Sequence, residues 1–455
     1  MDPKSDSLKG TSFNVINLCT LASRDGDGQV TGLTVFEPKD FTESFLKRLE
    51  VRKSREEFSQ LDFILYLPHF LKHRAESLLK GKTNERIEVL FTPFINIKHK
   101  GDYFFVRNTL RIVSVDDSQV ILKFLKRAMT ELGFIDVVAQ VSDSLNAVTT
   151  IEKFKPDLVT LDIQMPKKTG VEVLKELLTK SHYPVLMISS LNLEEGSLVF
   201  DALSNGAFDY LQKPKLEDMQ TFKEELMEKV LLAAEGRKTS SVLQKPRSPS
   251  IRISQGSNIF PDNLIWCLGA STGGTQALTR IFTSLPAKIP PTLVVQHIPP
   301  VFSRAFADSL NQLCPFTVKE AEHGEAVLAD HVYIAPGGIQ MGLERIHGKL
   351  SISLKDSPAV NRFKPSVDHL FLEVSKLKGI QVVAGILTGM GRDGAEGLLE
   401  LKKKGARTLV QDEESCTVFG MPRVAFEMGA TDQVIPLDNI AQTLLEQGLL
   451  LKKTG

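Results

Sequence analysis

A serine in a glycine-bounded turn is the clearest candidate for chemistry in this chain. Residues 269–273 read GASTG, so Ser271 has the G-x-S-x-G spacing of turns that lift a nucleophilic serine clear of the backbone. The apolar run 264–268 predicts a buried strand before the turn, and apolar residues at helical spacing over 277–285 predict a helix after it. Because the first N–H groups of a helix lack partners within it, the turn could hold an anion or a developing oxyanion.

A serine hydroxyl is a poor nucleophile unless a base removes its proton, so a histidine and a carboxylate are needed nearby. His297 follows the apolar run 292–295, and Asp393 lies in a glycine-rich segment after the apolar run 382–387. In a parallel α/β sheet the carboxyl ends of the strands share one edge. Three strands that end near Ser271, His297 and Asp393 can therefore bring these side chains together.

Further motifs accompany these residues and make the C-terminal part of the chain resemble a known family. They read QHIPP at 296–300, YIAPGG at 333–338, PSVD at 365–368, TGMGRDG at 388–394, QD at 411–412 and GMP at 420–422. Most of residues 261–450 resembles the catalytic domain of the chemotaxis receptor methylesterases, or protein-glutamate methylesterases. The resemblance implies a doubly wound α/β fold and hydrolysis of glutamate γ-methyl esters on the cytoplasmic helices of chemoreceptors, with release of methanol.

The resemblance also implies a role for each candidate residue. Ser271 would be the nucleophile, His297 the general base and then the general acid, and Asp393 the carboxylate that orients the histidine. Thr272 and Met390 match positions that help to form the oxyanion site. In some family members the same site deamidates receptor glutamines. The resemblance implies neither a metal nor another cofactor in this domain.

Two other interpretations of the glycine-rich turn are weaker. A dinucleotide-binding loop would read G-x-G-x-x-G and would be followed by an acidic residue after the next strand, whereas that strand ends in Gln296 and His297. An α/β-hydrolase orders its triad as Ser, Asp, His, and here the order is Ser271, His297, Asp393. Each residue alone is more often structural, so it is their combination that favours catalysis.

From residue 110 to residue 232 short apolar strands alternate with amphipathic helices, which is typical of a parallel sheet with crossover helices. The predicted strands are 111–115, 136–140, 158–161, 185–188 and 210–212. Most of them end in charged or hydroxyl residues, so carboxylates, a hydroxyl and an ammonium should gather at one edge of the sheet. Clustered carboxylate oxygens suit a hard divalent cation such as Mg²⁺.

This pattern resembles the receiver domain of two-component response regulators, a flavodoxin-like five-stranded parallel sheet. The resemblance implies that Asp162 accepts a phosphoryl group from a chemotaxis histidine kinase and that Mg²⁺ is bound beside it. The implied pocket consists of the Mg²⁺ ligands Asp117, Asp162 and Gln164, Asp116 acting through water, Ser189 and Lys213 at the phosphoryl oxygens, and Tyr210 as the aromatic that changes rotamer. Gln164 departs from the glutamate that is frequent at its position, so no dephosphorylation rate carries over.

Residues 1–108 precede the usual start of the methylesterase family and contain no motif that assigns a role. Strand patterns occur at 13–18, 29–35, 63–67 and 87–97, and an amphipathic helix pattern occurs at 39–60. We expect a small α+β domain. Arg48 and Arg52 form an R-x-x-x-R pair, which is more typical of a solvated helix face than of a nucleotide site.

Bulk properties limit the class of protein. At 455 residues the chain can form about three domains. Its formal net charge is zero and it has no basic stripe, so nucleic-acid binding is not expected. No apolar run reaches about 18 residues and the N-terminus is polar, so we expect a cytoplasmic protein without membrane insertion or signal peptide. Cys19, Cys267, Cys314 and Cys416 lack metal-ligand spacing and are expected to be reduced thiols.

These patterns predict four parts: an N-terminal domain (1–108), a receiver (109–232), a polar linker (233–260) and a methylesterase catalytic domain (261–455). The expected protein is a serine esterase that phosphorylation activates. The alternative is a catalytically silent adaptor that phosphorylation switches between partners, although an adaptor needs no triad. A DNA-binding response regulator would need a basic recognition helix after the linker, where the strand before Ser271 stands instead.

Overall fold

The computed structural model describes residues 12–16, 19–24, 30–36, 62–67, 87–91, 94–100, 103–107, 109–131, 133–181, 183–190, 193–213, 219–235 and 260–454. Most of the predicted linker lies outside these ranges. Contacts divide the chain into two compact units. The first comprises Met1–Lys168, Lys180–Leu186 and Pro214–Arg237, and the second comprises Thr169–Thr179, Met187–Lys213 and Lys238–Gly455.

Seven strands of the N-terminal region form one sheet. They are β1 (Ser12–Ile16), β2 (Cys19–Arg24), β3 (Val30–Phe36), β4 (Asp62–Leu67), β5 (Ile87–Phe91), β6 (Phe94–Lys100) and β7 (Tyr103–Arg107). Their order is β1-β6-β7-β3-β2-β4-β5, with β4 and β5 parallel and the other neighbours antiparallel. Six of these strands overlap or adjoin the segments predicted as strands, whereas β7 was not predicted. The predicted helix 39–60, with Arg48 and Arg52, lies outside the described residues.

The alternation after residue 109 produces a five-stranded sheet. Its strands are β8 (Leu110–Val115), β9 (Ile135–Val141), β10 (Leu158–Asp162), β11 (Val185–Ser189) and β12 (Asp209–Gln212), and its helices are α1 (Gln119–Thr130), α2 (Ala147–Phe154), α3 (Gly170–Lys180), α4 (Leu193–Ser204) and α5 (Met219–Glu235). The order β9-β8-β10-β11-β12 is the flavodoxin-like order that the receiver resemblance implied. Every predicted strand matches to within one residue at each end.

The C-terminal region contains a seven-stranded parallel sheet and one antiparallel hairpin. The sheet consists of β13 (Leu264–Ala270), β14 (Thr292–Gln296), β15 (Thr317–Glu320), β16 (His331–Ile334), β19 (Gln381–Ile386), β20 (Arg407–Gln411) and β21 (Gln433–Ile435), and the hairpin of β17 (Gln340–Ile346) and β18 (Lys349–Lys355). The helices are α6 (Gly274–Thr283), α7 (Pro300–Leu313), α8 (Val367–Ser375), α9 (Ala395–Lys403), α10 (Met421–Glu427) and α11 (Leu437–Thr454).

The strand order β15-β16-β14-β13-β19-β20-β21 confirms the doubly wound fold. The chain leaves β13 toward β14 on one side and later returns to β19 on the other, so the strand order reverses at β13. Ligands of such sheets bind at this reversal, beyond the carboxyl ends of the strands. Every residue of β13 is buried, and Ile265 and Cys267 share a core cluster with Phe371 of α8 and Leu398 of α9. In the described part of the chain, no helix is long and apolar enough to span a membrane.

Candidate active site

Ser271 lies in the turn between β13 and α6. Its backbone N–H donates to Thr388 O at 3.0 Å, and its carbonyl accepts from Gly274 N at 2.7 Å. Gly273 has a φ of 76°, which glycine adopts without strain. A Cβ on Gly274 would lie 2.1 Å from Gln296 Oε1, so no side chain fits there. The turn is therefore closed tightly around a serine that remains partly exposed.

The hydrogen-bond ladder between β13 and β14 places His297 beside Ser271. Ala270 pairs with Gln296, and His297 N donates to Ala270 O at 3.1 Å. Ser271 and His297 are thus the residues that follow the last pair of the ladder on their two strands. Main-chain hydrogen bonds consequently set the spacing of the two backbones.

Asp393 contacts His297 from the loop after β19. Its Oδ2 lies 2.8 Å from His297 Nε2, and both side chains are buried. Four other groups donate to this carboxylate: Val367 N to Oδ2 at 2.7 Å, and Ser366 Oγ, Asn361 Nδ2 and Asp368 N to Oδ1 at 2.7, 2.9 and 3.3 Å. Burial raises the pKa of the Asp393 carboxyl, but the hydrogen bonds, foremost that from His297, outweigh burial and lower this pKa. Asp393 is therefore ionised at neutral pH.

The ionised Asp393 determines which nitrogen of His297 can act as a base. A carboxylate only accepts hydrogen bonds, so His297 Nε2 carries a proton and donates it. His297 Nδ1 is buried and has no hydrogen-bond partner among the described residues. In the neutral ring this nitrogen holds a lone pair. The ring therefore keeps Nδ1 as its available acceptor, at the edge of the sheet where Ser271 lies.

Thr272 and Met390, predicted for the oxyanion site, lie on two segments that meet at Ser271. Thr272 follows the serine and is buried, and its carbonyl accepts from Thr388 Oγ1 at 2.9 Å. A Cβ on Gly389 would lie 2.7 Å from Ser271 Cβ, so the backbone just before Met390 passes against the serine. The structure places both residues near Ser271, and their role with an oxyanion stays a prediction.

The surroundings of the histidine include residues that the sequence patterns did not single out. The ring of Phe363 stacks on that of His297, with centroids 3.7 Å apart and planes at 8°. Ser366 is the N-cap of α8 and also donates to Asp393. The PSVD motif contained a signal for Ser366, since serine before an apolar run predicts a helix start. No comparable signal marks Phe363 or Asn361.

The described cysteines are not competing nucleophiles. Cys267 and Cys416 are buried, Cys314 is partly buried, and all three are free thiols. Burial raises the pKa of Cys314 to about 12 and also raises the pKa of Cys267 and Cys416. These thiols are therefore protonated at neutral pH. The side chain of Cys19 lies outside the described part of the chain.

Three acidic residues gather at the ends of β8 and β10 in the first compact unit. Carboxylate oxygens of Asp116, Asp117 and Asp162 lie within 4.8 Å of one another. Asp116 and Asp162 are buried, whereas Asp117 is exposed, as is Gln164 two residues after Asp162. A cluster of oxygen donors with this charge fits a hard divalent cation such as Mg²⁺.

The other predicted receiver residues belong to the second compact unit. Ser189 ends β11 and is fully buried, and Tyr210 in β12 is buried as well. Lys213 follows β12, is partly buried, and donates from its backbone N–H to Ser189 O at 2.7 Å. The phosphoryl-binding roles of these residues stay predictions.

Two family models match the chain: CheB methylesterase at residues 266–444 and the response regulator receiver domain at residues 112–225. The chain is 43% identical to the protein-glutamate methylesterase/protein-glutamine glutaminase of Escherichia coli (strain K12) over 339 residues, which are 74% of this chain and 96% of that relative. The chain belongs to the protein-glutamate methylesterase family. The relative from Pectobacterium atrosepticum is 41% identical over 341 residues, or 74% of this chain and 97% of the relative.

Solved structures match separate parts of this methylesterase-family chain. The crystal structure of the Thermotoga maritima CheB methylesterase catalytic domain is 40% identical, with a TM-score of 0.39, and the match covers 40% of this chain and 97% of that one. The response regulator domain of Thermotoga maritima CheB is 35% identical, with a TM-score of 0.26, and the match covers 28% of this chain and 96% of that one.

Proposed function

We propose that this protein hydrolyses the γ-methyl esters of glutamate residues on chemoreceptors and that phosphorylation of its receiver raises this activity. The main support is the buried His297–Asp393 pair next to Ser271, in a chain 43% identical to a protein-glutamate methylesterase/protein-glutamine glutaminase. A glutamine side-chain amide presents a similar carbonyl carbon, so the same site would deamidate receptor glutamines. A silent adaptor would not need this pair.

In the first half of the reaction the Ser271 hydroxyl attacks the ester carbonyl carbon while its proton passes to His297 Nδ1. The carbonyl oxygen becomes an oxyanion, which we assign to the space beside Thr272 and Met390. The bond from carbon to the methoxy oxygen then breaks, and Nδ1 returns the proton to that oxygen. Methanol leaves, and the glutamyl group remains esterified to Ser271.

In the second half water attacks the acyl-enzyme and gives a proton to the same Nδ1. The bond to Ser271 Oγ breaks, Nδ1 returns the proton to Oγ, and the product is glutamic acid, which ionises in water. His297 carries a positive charge while it holds the extra proton. The ionised Asp393, 2.8 Å from Nε2, stabilises this charge and keeps the ring oriented.

Contacts within the second compact unit suggest how phosphorylation would reach the esterase site. The ring of Phe200 in α4 stacks on Phe306, with centroids 5.1 Å apart, and Tyr210 lies 4.9 Å from Phe302. Both phenylalanines belong to α7, which begins three residues after His297. A rearrangement of α4 and β12 would therefore alter the packing of α7, the helix that follows His297.

Asp162 is the proposed phosphoacceptor, with a chemotaxis histidine kinase as its donor. Phosphorylation adds about −1.5 to −2 charge. The phosphoryl oxygens can form new charge-assisted hydrogen bonds, which order or displace nearby segments. Asp116, Asp117, Asp162 and the Gln164 carbonyl would hold the Mg²⁺ that neutralises the transferred group. Because the proposed substrates are cytoplasmic receptor helices, the protein would act in the cytoplasm.

The test is methanol release from radiolabelled methylated receptor by the purified full-length protein, with Mg²⁺ and with or without a small phosphodonor. We expect release in both conditions and a faster rate with the donor. No release in either condition would refute the esterase function. Equal rates would refute the regulation, and phosphorylation-dependent receptor binding without methanol would favour the adaptor.

A further inference from the structure

One short turn contacts both members of the catalytic pair. Val360 N donates to Phe363 O at 3.1 Å, and Phe363 N donates to Val360 O at 2.8 Å, so the turn is closed at its base. Asn361 lies within it with a φ of 52°, in the left-handed region. The side chain of Asn361 reaches Asp393, and the ring of Phe363 stacks on His297. We call residues 360–363 the Asn361 turn.

The side-chain NH₂ group of Asn361 donates hydrogen bonds to two carboxyl groups. Its Nδ2 lies 2.9 Å from Asp393 Oδ1 and 2.6 Å from Asp368 Oδ2. Carboxylate oxygens accept hydrogen bonds, so the nitrogen of the amide, and not its oxygen, must face them. Because both N–H groups are used, the amide cannot rotate without breaking a bond to one of the carboxyl groups.

Asp368 is a second buried carboxyl group beside the first. It lies in the first turn of α8, and its Oδ1 accepts from Gly397 N of α9 at 2.6 Å. Asp393 stands just before α9 and accepts from Val367 N at the start of α8. Each carboxyl group thus lies at the N-terminus of the other's helix, where negative charge is favoured. Burial raises the pKa of Asp368, and the neighbouring Asp393 charge raises it further.

We infer that Asn361 is a positioning residue for the His297–Asp393 pair, a role that deepens the proposed function and rests on it. The amide holds Asp393 against His297 Nε2 and offsets part of the negative potential that two adjacent carboxyl groups place on the ring. Phe363, from the same turn, fixes the plane of that ring. Asn361 acts through Asp393 and is not one of the reacting groups.

A simpler role for Asn361 is to occupy a left-handed backbone position, which asparagine tolerates better than most residues. Glycine adopts this conformation still more readily. Asn361→Gly therefore preserves the turn and removes only the amide. His347→Gly is the matched control, because His347 has a φ of 49° and is exposed at the tip of the β17–β18 hairpin.

The test uses full-length protein with ¹³C-labelled histidine rings, and the His297 signal is identified by its loss in His297→Gln. Without the amide protons Asp393 places more negative potential on the ring, which stabilises the positive charge that the ring carries during the reaction. We expect Asn361→Gly to change the His297 ring signals and to move the acid limb of kcat/KM for methanol release to higher pH. It should also lower kcat about tenfold to hundredfold. His347→Gly should change none of these.

The Asn361→Gly substitution leaves the charges around the ring unaltered. Asp368 and Asp393 are bonded to Asn361, and Arg362 and Arg392 are their neighbours in the chain, with Arg392 paired to Glu396. An unchanged acid limb of kcat/KM or unchanged His297 ring signals in Asn361→Gly would overturn the inference even if activity fell, because a purely structural role lowers activity equally at every pH. If the unsubstituted protein releases no methanol, the proposed function fails, and the His297 ring signals still decide the role of Asn361.

Discussion

Replacing Ser366 with alanine should destabilise the catalytic domain, although this serine is not a reacting residue. Ser366 is fully buried, and its hydroxyl makes two hydrogen bonds. It donates to Asp393 Oδ1 at 2.7 Å, and it accepts from His369 N at 3.2 Å as the N-cap of α8. Ser366→Ala removes both bonds at once and leaves a buried carboxylate with one donor fewer.

The expected size of the effect follows from these two bonds. Losing a serine N-cap costs about 1 kcal/mol, and losing a hydrogen bond to a charged group costs about 1.5–3 kcal/mol. The free energy of unfolding should therefore fall by about 2.5–4 kcal/mol. The pKa of Asp393 in the folded protein lies below its ordinary value of 3.8. The stabilisation that comes from the charge of Asp393 is therefore complete above the ordinary pKa and is lost as the pH falls through the lower pKa of the folded protein. The loss of stability in Ser366→Ala should be constant between about pH 5 and 8.

Urea denaturation followed by tryptophan fluorescence measures this effect directly. Trp266, the only tryptophan of the chain, is fully buried in β13, so its emission reports on the catalytic domain. Ser375→Ala is the control, because Ser375 ends the same helix and donates only to Leu372 O at 2.8 Å. The control should lose less than about 0.5 kcal/mol. A loss in Ser366→Ala no larger than that of the control would refute the reasoning.

Three further outcomes are expected. Ser271→Ala or His297→Ala should lower methanol release by about 10⁴ or more without changing the thermal midpoint; near-normal release from the serine variant would exclude it as the nucleophile. Asp162→Asn should incorporate no phosphate from a small donor with Mg²⁺ and should lose the stimulation of esterase activity, and continued incorporation would point to another acceptor. A fragment of residues 258–455 lacks α4 and should release methanol faster than the unphosphorylated full-length protein, because the contact between α4 and α7, which the linker favours, is absent. Equal rates of methanol release would show that this contact does not inhibit the esterase.

Much of the fold could be predicted because strands in parallel sheets are short, apolar and end abruptly in polar residues. The predicted strand 136–140 corresponds to β9. The apolar run 382–387 corresponds to β19, which ends at Ile386, although Leu387 N still donates to Gly269 O of β13. The convergence of Ser271, His297 and Asp393 could also be predicted, since it requires only that their strands be parallel neighbours.

Other parts of the site depend on contacts that no local pattern encodes. The Asn361 turn has neither helical nor alternating periodicity, and its bond to Asp393 joins residues 32 positions apart. The nitrogen of His297 that we propose as the proton acceptor follows from a ring orientation that Asp393 and Phe363 fix together, and the sequence contains no sign of that orientation. Asp368 accepts a hydrogen bond from the start of α9, and Asp393 accepts one from the start of α8. These contacts likewise arise only when the two helices are adjacent in space.

The hydrogen-bond ladder between β13 and β14, which ends at Ala270 and Gln296, determines where residues can be inserted or deleted without loss of activity. Segment 284–291, between α6 and β14, enters the sheet at the edge opposite the site, and an added residue there costs little because loop closure depends weakly on length. One residue added within β14 would instead turn every later side chain of the strand to the opposite face of the sheet. The His297 ring would then leave Asp393 although none of the proposed catalytic residues had been replaced. Insertions and deletions compatible with activity should therefore concentrate at the amino ends of the strands.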